Sequence, residues 1–170
     1  DIHCGGIDHV AIHHTNEIAQ AQGATGKQYV RYWIHGELLI MANGKMSKSG
    51  GGFVTLDTLK EKGYSPLDYR YLCLGAHYRT QLEFSYEALT FARNTRLGLM
   101  DRIAALKESA ETGAKDEAAL NAAKAAFKDA MDDDLNASKA LAVLWEYIKG
   151  GACGGGKLGF IKYARGVLGV

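Results

Sequence analysis

A basic, glycine-flanked segment has the composition of a phosphate-contacting loop. Two lysines bracket a serine in Lys45-Met46-Ser47-Lys48-Ser49, and three glycines follow. Lysine is a compact cation suited to phosphate oxygens, and glycine lets a backbone approach a ligand closely. On chemistry alone a solvated basic surface loop is the commoner case, but the full five-residue string is much more specific. The segment therefore predicts contact with a polyphosphate.

A histidine-rich segment has the spacing of metal ligands. His13 and Glu17 are four residues apart, so at a helix start they share one face and could both bind one zinc ion. A structural zinc site needs about four ligands, and on spacing alone a surface His–Glu pair is the commoner arrangement. Cys4 beside His3 is interpreted as an ordinary reduced cysteine. All six histidines of the chain lie within its first 77 residues.

Further candidates for a ligand pocket lie on both sides of that segment. Asp8 follows Gly5 and Gly6 and suits hydrogen bonding to ribose hydroxyls in an α/β fold, although a turn aspartate is commoner. Trp33 belongs to an aromatic, β-branched run whose alternation is typical of a half-buried strand, which makes it core or pocket wall.

A glycine-rich segment near the end of the sequence resembles a P-loop but departs from it. Leu158 stands where a P-loop has the Ser or Thr that holds magnesium, and the preceding element is predicted to be a helix. Residues 149–170 contain four basic residues, no acidic residue and eight glycines. We therefore predict a flexible basic tail.

The elements that position these residues change character along the chain. Strands are predicted over 10–12, 29–34 and 38–41, with a short helix over 16–22 between the first two. Helices are predicted over 55–63, 65–77, 85–113, 116–131 and 137–149, with Thr55, Ser65 and Ser85 as N-caps. The pattern predicts an α/β part up to about residue 82 and an all-α part after it.

Composition limits the class of protein. The chain has 170 residues, 47% of them hydrophobic and 23% charged, with a net charge of +1. These values favour a globular protein over a disordered one, and near-neutral charge argues against a strongly basic nucleic-acid binder. We expect no membrane span and no signal peptide. Three widely spaced cysteines favour a reducing cytoplasm.

Several of these segments together resemble the cysteinyl-tRNA synthetases. The Lys45–Ser49 string resembles the second signature of the class I synthetases. The other similar segments are Asp1–Asp8, His13–Gln20, Arg31–His35, Ala76–Leu82 and Ala130–Asn136. The resemblance extends over nearly the whole chain.

The resemblance implies a fold class and a domain division. It implies the second half of a class I, Rossmann-like nucleotide-binding catalytic fold over residues 1–82, followed by a helical bundle domain over 83–170 that contacts tRNA. The family's amino-terminal half, with its HIGH-type signature and two zinc-binding cysteines, is expected upstream of Asp1.

The resemblance also implies roles for individual residues. Lys48 matches the ATP-contacting lysine, and Lys45 assists it in catalysis. Gly5, Gly6, Asp8 and Ser47 are expected to bind ATP with its Mg²⁺, and His3 and Trp33 to line the amino-acid pocket. His13 and Glu17 match two ligands of a Zn²⁺ ion that selects cysteine through its thiolate.

The chain departs from the family at a few positions, and two other functions stay open. Cys4 stands where the family usually has glycine, Ile12 where it often has proline, and Thr15 where it usually has glutamate. The implied activity is ATP-dependent activation of cysteine and its transfer to tRNA(Cys). The alternatives are a non-catalytic module that binds nucleotide or tRNA, and one half of a split enzyme that needs a separate amino-terminal half.

Overall fold

A computed structural model describes residues 1–41, 54–108 and 116–170. These residues form two compact units, one containing 1–41 and 78–84 and the other 54–77, 85–108 and 116–170. Within the described residues, every helix is too short or too polar to cross a lipid bilayer.

The elements follow one another from mixed α/β to purely helical. The strands are β1 Ile2–Gly6, β2 Tyr32–Gly36, β3 Leu39–Met41 and β4 Leu82–Phe84. The helices are α1 His13–Thr25, α2 Leu56–Glu61, α3 Pro66–Leu74, α4 Tyr86–Glu108, α5 Glu117–Asp132, α6 Ala137–Lys149 and α7 Gly154–Leu168. A 3₁₀ helix, Ile7–His9, separates β1 from α1. The prediction of an α/β part followed by an all-α part is confirmed.

The first unit contains two parallel strand pairs. β1 pairs with β2 in the register that places His3 opposite Trp33 and Gly5 opposite His35. β3 pairs with β4. Parallel neighbours need a crossover connection, and α1 supplies it between β1 and β2. The carboxyl ends of β1 and β2 therefore lie side by side. The 3₁₀ helix follows directly after the end of β1.

The strand predicted over residues 10–12 is wrong. Residues 2–6 form the strand instead, and Val10 and Ile12 are 43% and 71% exposed. The Thr15 hydroxyl donates to the carbonyl of Val10, as part of the turn that leads into α1. A three-residue apolar run carries too little pattern to separate a strand from such a turn.

The helix starts predicted in the second unit are confirmed. The Thr55 hydroxyl accepts a hydrogen bond from the backbone N–H of Thr58 at the start of α2. Ser65 and Asp68 form a capping box at the start of α3, with Pro66 in its first turn. Ser85 accepts from the backbone N–H of Ala88 at the start of α4. Each cap satisfies a backbone donor that has no partner within its helix.

The flexible tail predicted over residues 149–170 is wrong, because most of it forms α7. Four apolar residues of α7 are buried in the helical core, namely Phe160, Ile161, Ala164 and Leu168. The Cys153 thiol accepts from the N–H of Gly156 at the first turn, and Arg70 Nε donates to the carbonyl of Leu168 at 2.8 Å. Burial of this apolar face outweighs the low helix propensity of the glycines, each about 1 kcal/mol worse than alanine.

Two helices that precede residue 82 pack with the helical unit. α2 and α3 belong to it, and α3 packs along α4. Tyr71 of α3 lies in the helical core, where its hydroxyl accepts from Trp145 Nε1 at 2.8 Å. The domain boundary at residue 82 stays a prediction, but spatially the helical unit starts earlier in the chain.

Candidate functional site: a histidine-rich face of the first unit

One face of the β1–β2 pair carries a cluster of rings. Side chains two residues apart in a strand share a face, and the register brings His3 beside Trp33 and Gly5 beside His35. The ring centroids of His3 and Trp33 are 4.9 Å apart, and the Trp33 and His35 rings stack at 6.1 Å. The predicted pocket residues His3 and Trp33 are therefore brought together.

Helix α1 places His14 and Glu17 against this face. His14 is 3% exposed, and its ring contacts those of His3, Trp33 and His35 with centroids 4.7–5.0 Å apart. Glu17 lies one helical turn further along the same side of α1. The i and i+3 spacing of this pair is what allows one helix to present both groups to the strands.

Glu17 is the acidic centre of the cluster. Its Oε2 lies 3.1 Å from His3 Nε2 and 3.9 Å from His14 Nε2, and its Oε1 lies 3.7 Å from His13 Nε2. Oε2 is buried and makes no hydrogen bond of good geometry. A buried carboxylate oxygen without an aligned donor is costly, so this position favours a cation.

The surroundings of His14 favour its neutral form. Burial lowers its pKa, and the nearby His3 and His35 lower it further, while Glu17 acts in the opposite direction. His14 Nδ1 lies 2.8 Å from His35 Nε2, so one of these two nitrogens donates to the other. This contact orients the ring and leaves His14 Nε2 directed at the rest of the cluster.

Two glycines of β1 make room for these side chains. A Cβ on Gly5 would lie 2.9 Å from both His14 Nε2 and His9 Nδ1 and closer still to His14 Cε1. A Cβ on Gly6 would collide with the carboxylate of Asp8. Asp8 is exposed in the 3₁₀ helix, just beyond the carboxyl ends of β1 and β2. Ligands of open α/β sheets bind outside that edge.

The predicted site residues are distributed as follows. His3, Gly5, Gly6, Asp8, His13, Glu17 and Trp33 all lie in the first unit, on β1, β2, the 3₁₀ helix or the start of α1. Lys45, Ser47 and Lys48 lie outside the described residues. Cys4 is exposed and alternates with His3 and Gly5 along β1, so it belongs to the opposite face of the strand.

Three histidines of the cluster were missing from the sequence-based candidates. The rings of His9 and His14 lie beside that of the predicted ligand His13, and the His35 ring stacks on Trp33. The spacing of His9, His13 and His14 was a usable signal, since it places three imidazoles within six residues. The contribution of His35 depends on strand register, which no local pattern reveals.

Two protein-family models match parts of this chain. The family model described as tRNA synthetases class I (C) catalytic domain matches residues 1–94, more than half of the chain. The chain belongs to the class I cysteinyl-tRNA synthetase family. A second model, the DALR domain, matches residues 126–150, which include α6 and the end of α5. The fold is accordingly part of a class I catalytic domain joined to a helical DALR-type domain.

Three curated relatives show how much of the family this chain represents. A cysteine--tRNA ligase of Treponema denticola is 48% identical over 168 residues, and one of Borrelia garinii subsp. bavariensis is 42% identical over 159. Cysteine--tRNA ligase 1 of Burkholderia lata is 45% identical over 150 residues. Each match covers 88% of this chain. It covers only 34% of the Treponema denticola protein, 33% of the Borrelia garinii protein and 30% of the Burkholderia lata protein. The chain spans about a third of the length of these relatives.

Proposed function

We propose that this chain supplies one side of the active site, and the adjoining helical domain, of an enzyme that activates cysteine with ATP and transfers it to tRNA(Cys). The observation that carries the proposal is the convergence of His3, Trp33, His14 and Glu17 on one face of two parallel strands. Asp8 lies at the adjoining carboxyl edge. Family membership and relatives named cysteine--tRNA ligase support the same reaction.

In the proposed first step, an oxygen of the cysteine carboxylate forms a bond to the α-phosphorus of ATP. The bond from that phosphorus to the bridging oxygen breaks, and pyrophosphate leaves with its Mg²⁺. Lys45 and Lys48 neutralise the charge that develops on the departing phosphates, with Ser47 beside them. Such contacts act more on the transition state than on the ground state.

The first unit would hold the nucleoside and the amino acid. Asp8 accepts hydrogen bonds from ribose hydroxyls, while Gly5 and Gly6 let side chains and ligand approach β1 closely. His3 and Trp33 form the wall of the amino-acid pocket. The second step is attack on the cysteinyl-adenylate by the terminal ribose hydroxyl of the tRNA, which releases AMP.

His13 and Glu17 fit the proposed zinc ion. Their Nε2 and Oε1 atoms are 3.7 Å apart, close to the separation of about 3.4 Å between two ligands on one tetrahedral zinc. When bound, zinc selects a thiolate over a hydroxyl because sulfur is the softer ligand. Further ligands of that ion would come from outside this chain.

The helical unit is the proposed tRNA-contacting part. Lys162 and Arg165 are exposed on α7, and Lys149 lies at the end of α6. No acidic residue lies between 149 and 170, so this stretch carries a local positive charge that suits a phosphate backbone.

The three cysteines are free thiols, which is consistent with the proposed reducing cytoplasm.

A chimeric enzyme tests the proposal. The segment of the Treponema denticola cysteine--tRNA ligase that matches this chain is replaced by this chain, and cysteine-dependent ATP–pyrophosphate exchange is measured. We expect exchange with the chimera and none with the 170-residue chain alone. Exchange by the chain alone would show that the activation of cysteine needs no residues beyond these 170. A folded chimera that binds ATP or tRNA without exchange would instead support the non-catalytic module.

Replacing Lys48 with alanine in that chimera should slow adenylation about 100-fold. The reason is the loss of one cation from the transition state, at a cost of about 3 kcal/mol. The dissociation constant of ATP should change far less, as measured by equilibrium binding. Lys60→Ala, in an exposed pair with Asp57, is the matched control and should leave both quantities unchanged. Equal losses in rate and binding would contradict the proposed role of Lys48.

A further inference from the structure

We propose that a cavity between α5 and α6 binds a small organic cation, namely an amine with an aromatic or apolar body. The cavity has a volume of about 740 Å³, and all its lining residues belong to the helical unit. Small-ligand sites commonly measure about 300–1,000 Å³ and combine apolar walls with a few polar groups. None of the lining residues belongs to the set proposed above for the activation of cysteine.

The apolar wall of the cavity consists mainly of alanines. Four of them lie on α5, namely Ala119, Ala122, Ala123 and Ala126. Their spacing of three and four residues places them along one side of the helix. Because each side chain ends at a methyl group, the space beside this part of α5 stays unfilled. Residues 150–153, which connect α6 to α7, add a further wall. Such walls suit an aromatic ring or a short aliphatic chain.

Two carboxylates give the cavity a negative charge. Asp116 and Glu146 both line it and are exposed, and one oxygen of Asp116 is used as the N-cap of α5. Within the described residues neither carboxylate forms an ion pair, whereas Asp132 at the other end of α5 pairs with Lys128. The described lining contains no lysine or arginine. The cavity therefore has two negative charges available for a ligand.

Helix ends around the cavity offset only part of that charge. The capping residues of three ends line it, namely Asp116 for the start of α5, Gly150 for the end of α6 and Cys153 for the start of α7. Each amino end carries about half a positive charge and each carboxyl end about half a negative one. The three ends sum to about half a positive charge, which the two carboxylates outweigh. The site consequently favours a cation over an anion.

Tyr147 supplies a hydrogen-bond donor that the protein does not use. Its hydroxyl oxygen is buried and has no hydrogen-bond partner among the described residues. Burial raises the pKa of this phenol, and the neighbouring Cys153 and Asp116 raise it further, so the group stays neutral and keeps its proton. At Gly156 a Cβ would lie 3.0 Å from the oxygen, so no side chain fills the space beside it. A buried donor without an acceptor is costly, and an acceptor on the ligand would remove that cost.

These features define a probe and two comparison compounds. Tyramine has an aromatic ring for the alanine walls, an ammonium group for the carboxylates and a hydroxyl that can accept from Tyr147. Phenethylamine lacks only the hydroxyl. Phloretate has the same ring and chain as tyramine but carries a carboxylate in place of the ammonium group. The three compounds therefore separate the contributions of charge and of hydrogen bonding.

Nuclear magnetic resonance titration of the isotope-labelled chain tests the proposal. We expect tyramine to shift the amide signals of Ala122, Val143 and Gly151, with a dissociation constant of about 1 mM or tighter. Phenethylamine should bind about fivefold more weakly, through loss of one hydrogen bond. Phloretate should bind at least about 10-fold more weakly, because attraction to the carboxylates becomes repulsion. Equal binding of phloretate, or no shift at these residues, would overturn the proposal.

Variants of the polar groups test their individual roles. Glu146→Gln and Asp116→Asn should each weaken tyramine binding about threefold, as expected for exposed charges. Asparagine preserves the N-cap of α5, so the second variant changes charge without removing the cap. Tyr147→Phe should abolish the difference in affinity between tyramine and phenethylamine. Persistence of that difference in Tyr147→Phe would show that the assigned hydrogen bond is wrong.

A space-filling variant and its control test the location. Ala122→Leu places a larger side chain in the cavity and should weaken tyramine binding at least about 10-fold. Ala125→Leu makes the same change at an exposed position of α5 outside the lining and should bind like the unchanged chain. Circular dichroism of each variant confirms that it is folded. Equal effects of the two variants would contradict the proposed location. Because ATP, cysteine and tRNA are absent, these results do not depend on the proposed synthetase activity.

Discussion

Replacing Phe160 with alanine is expected to lower the free energy of unfolding of the helical unit by about 4 kcal/mol. Phe160 is fully buried, and its ring lies edge-on to Phe127 and Tyr147 with centroids 6.0 and 5.0 Å away. Removing the ring eliminates these contacts and leaves a cavity in a core that α5, α6 and α7 share. Urea denaturation followed by circular dichroism in the helix band measures the change.

A control on the same helix distinguishes packing from helix propensity. Lys162 is exposed on α7, and Lys162→Ala should change the free energy of unfolding by less than about 0.5 kcal/mol. If Phe160→Ala were as mild as this control, α7 would not belong to the core. The result would then favour the flexible tail that the glycine content predicts.

Replacing Asp68 with alanine is expected to destabilise the helical unit by about 3 kcal/mol. The Asp68 carboxylate is 1% exposed, and it accepts from Arg96 Nε at 2.7 Å and from the backbone N–H of Ser65 at 2.8 Å. Its removal leaves the Arg96 guanidinium, on a side chain that is only 12% exposed, without its partner, and it breaks the capping box of α3. Thermal and urea unfolding measure the loss.

Two further variants show whether the buried charge is the cause. Asp57 pairs with Lys60 on the surface of α2, and Asp57→Ala should cost less than about 1 kcal/mol. The double change Asp68→Leu with Arg96→Met should recover part of the loss, because it removes both charges and fills the volume. A loss from Asp57→Ala as large as that from Asp68→Ala would contradict this explanation.

Local signals predicted the helical unit well. Ser65-Pro66 and Asp116 mark helix starts through side-chain hydrogen bonds to the first turn, and these depend only on neighbouring residues. The 3.6-residue apolar period then fixed α5 and α6 to within about one residue. Element type was therefore predictable wherever caps and periodicity agreed.

The remaining elements were harder to predict because they depend on contacts between residues far apart in the sequence. The glycines of α7 suggested a loop, although its apolar residues Phe160, Ile161, Ala164 and Leu168 have helical spacing. The surface that buries these residues comes from α5 and α6, so the local sequence does not reveal it. The predicted residues His3, His13 and Glu17 do converge. The addition of His35 to the cluster required the parallel register of β1 and β2, which is set by pairing across 30 residues.

The contact between Arg70 and the carbonyl of Leu168 joins residues that are 98 positions apart. Closing a loop of that length costs conformational entropy before any contact offsets it, and proteins rich in such contacts fold more slowly than those with local ones. The α5–α6 pair is local, so we expect it to form early, whereas α3 and α7 are far apart in the sequence and must find each other across the whole unit. The helical half of this chain should therefore fold more slowly than a simple up-and-down bundle, with docking of α7 as a late event.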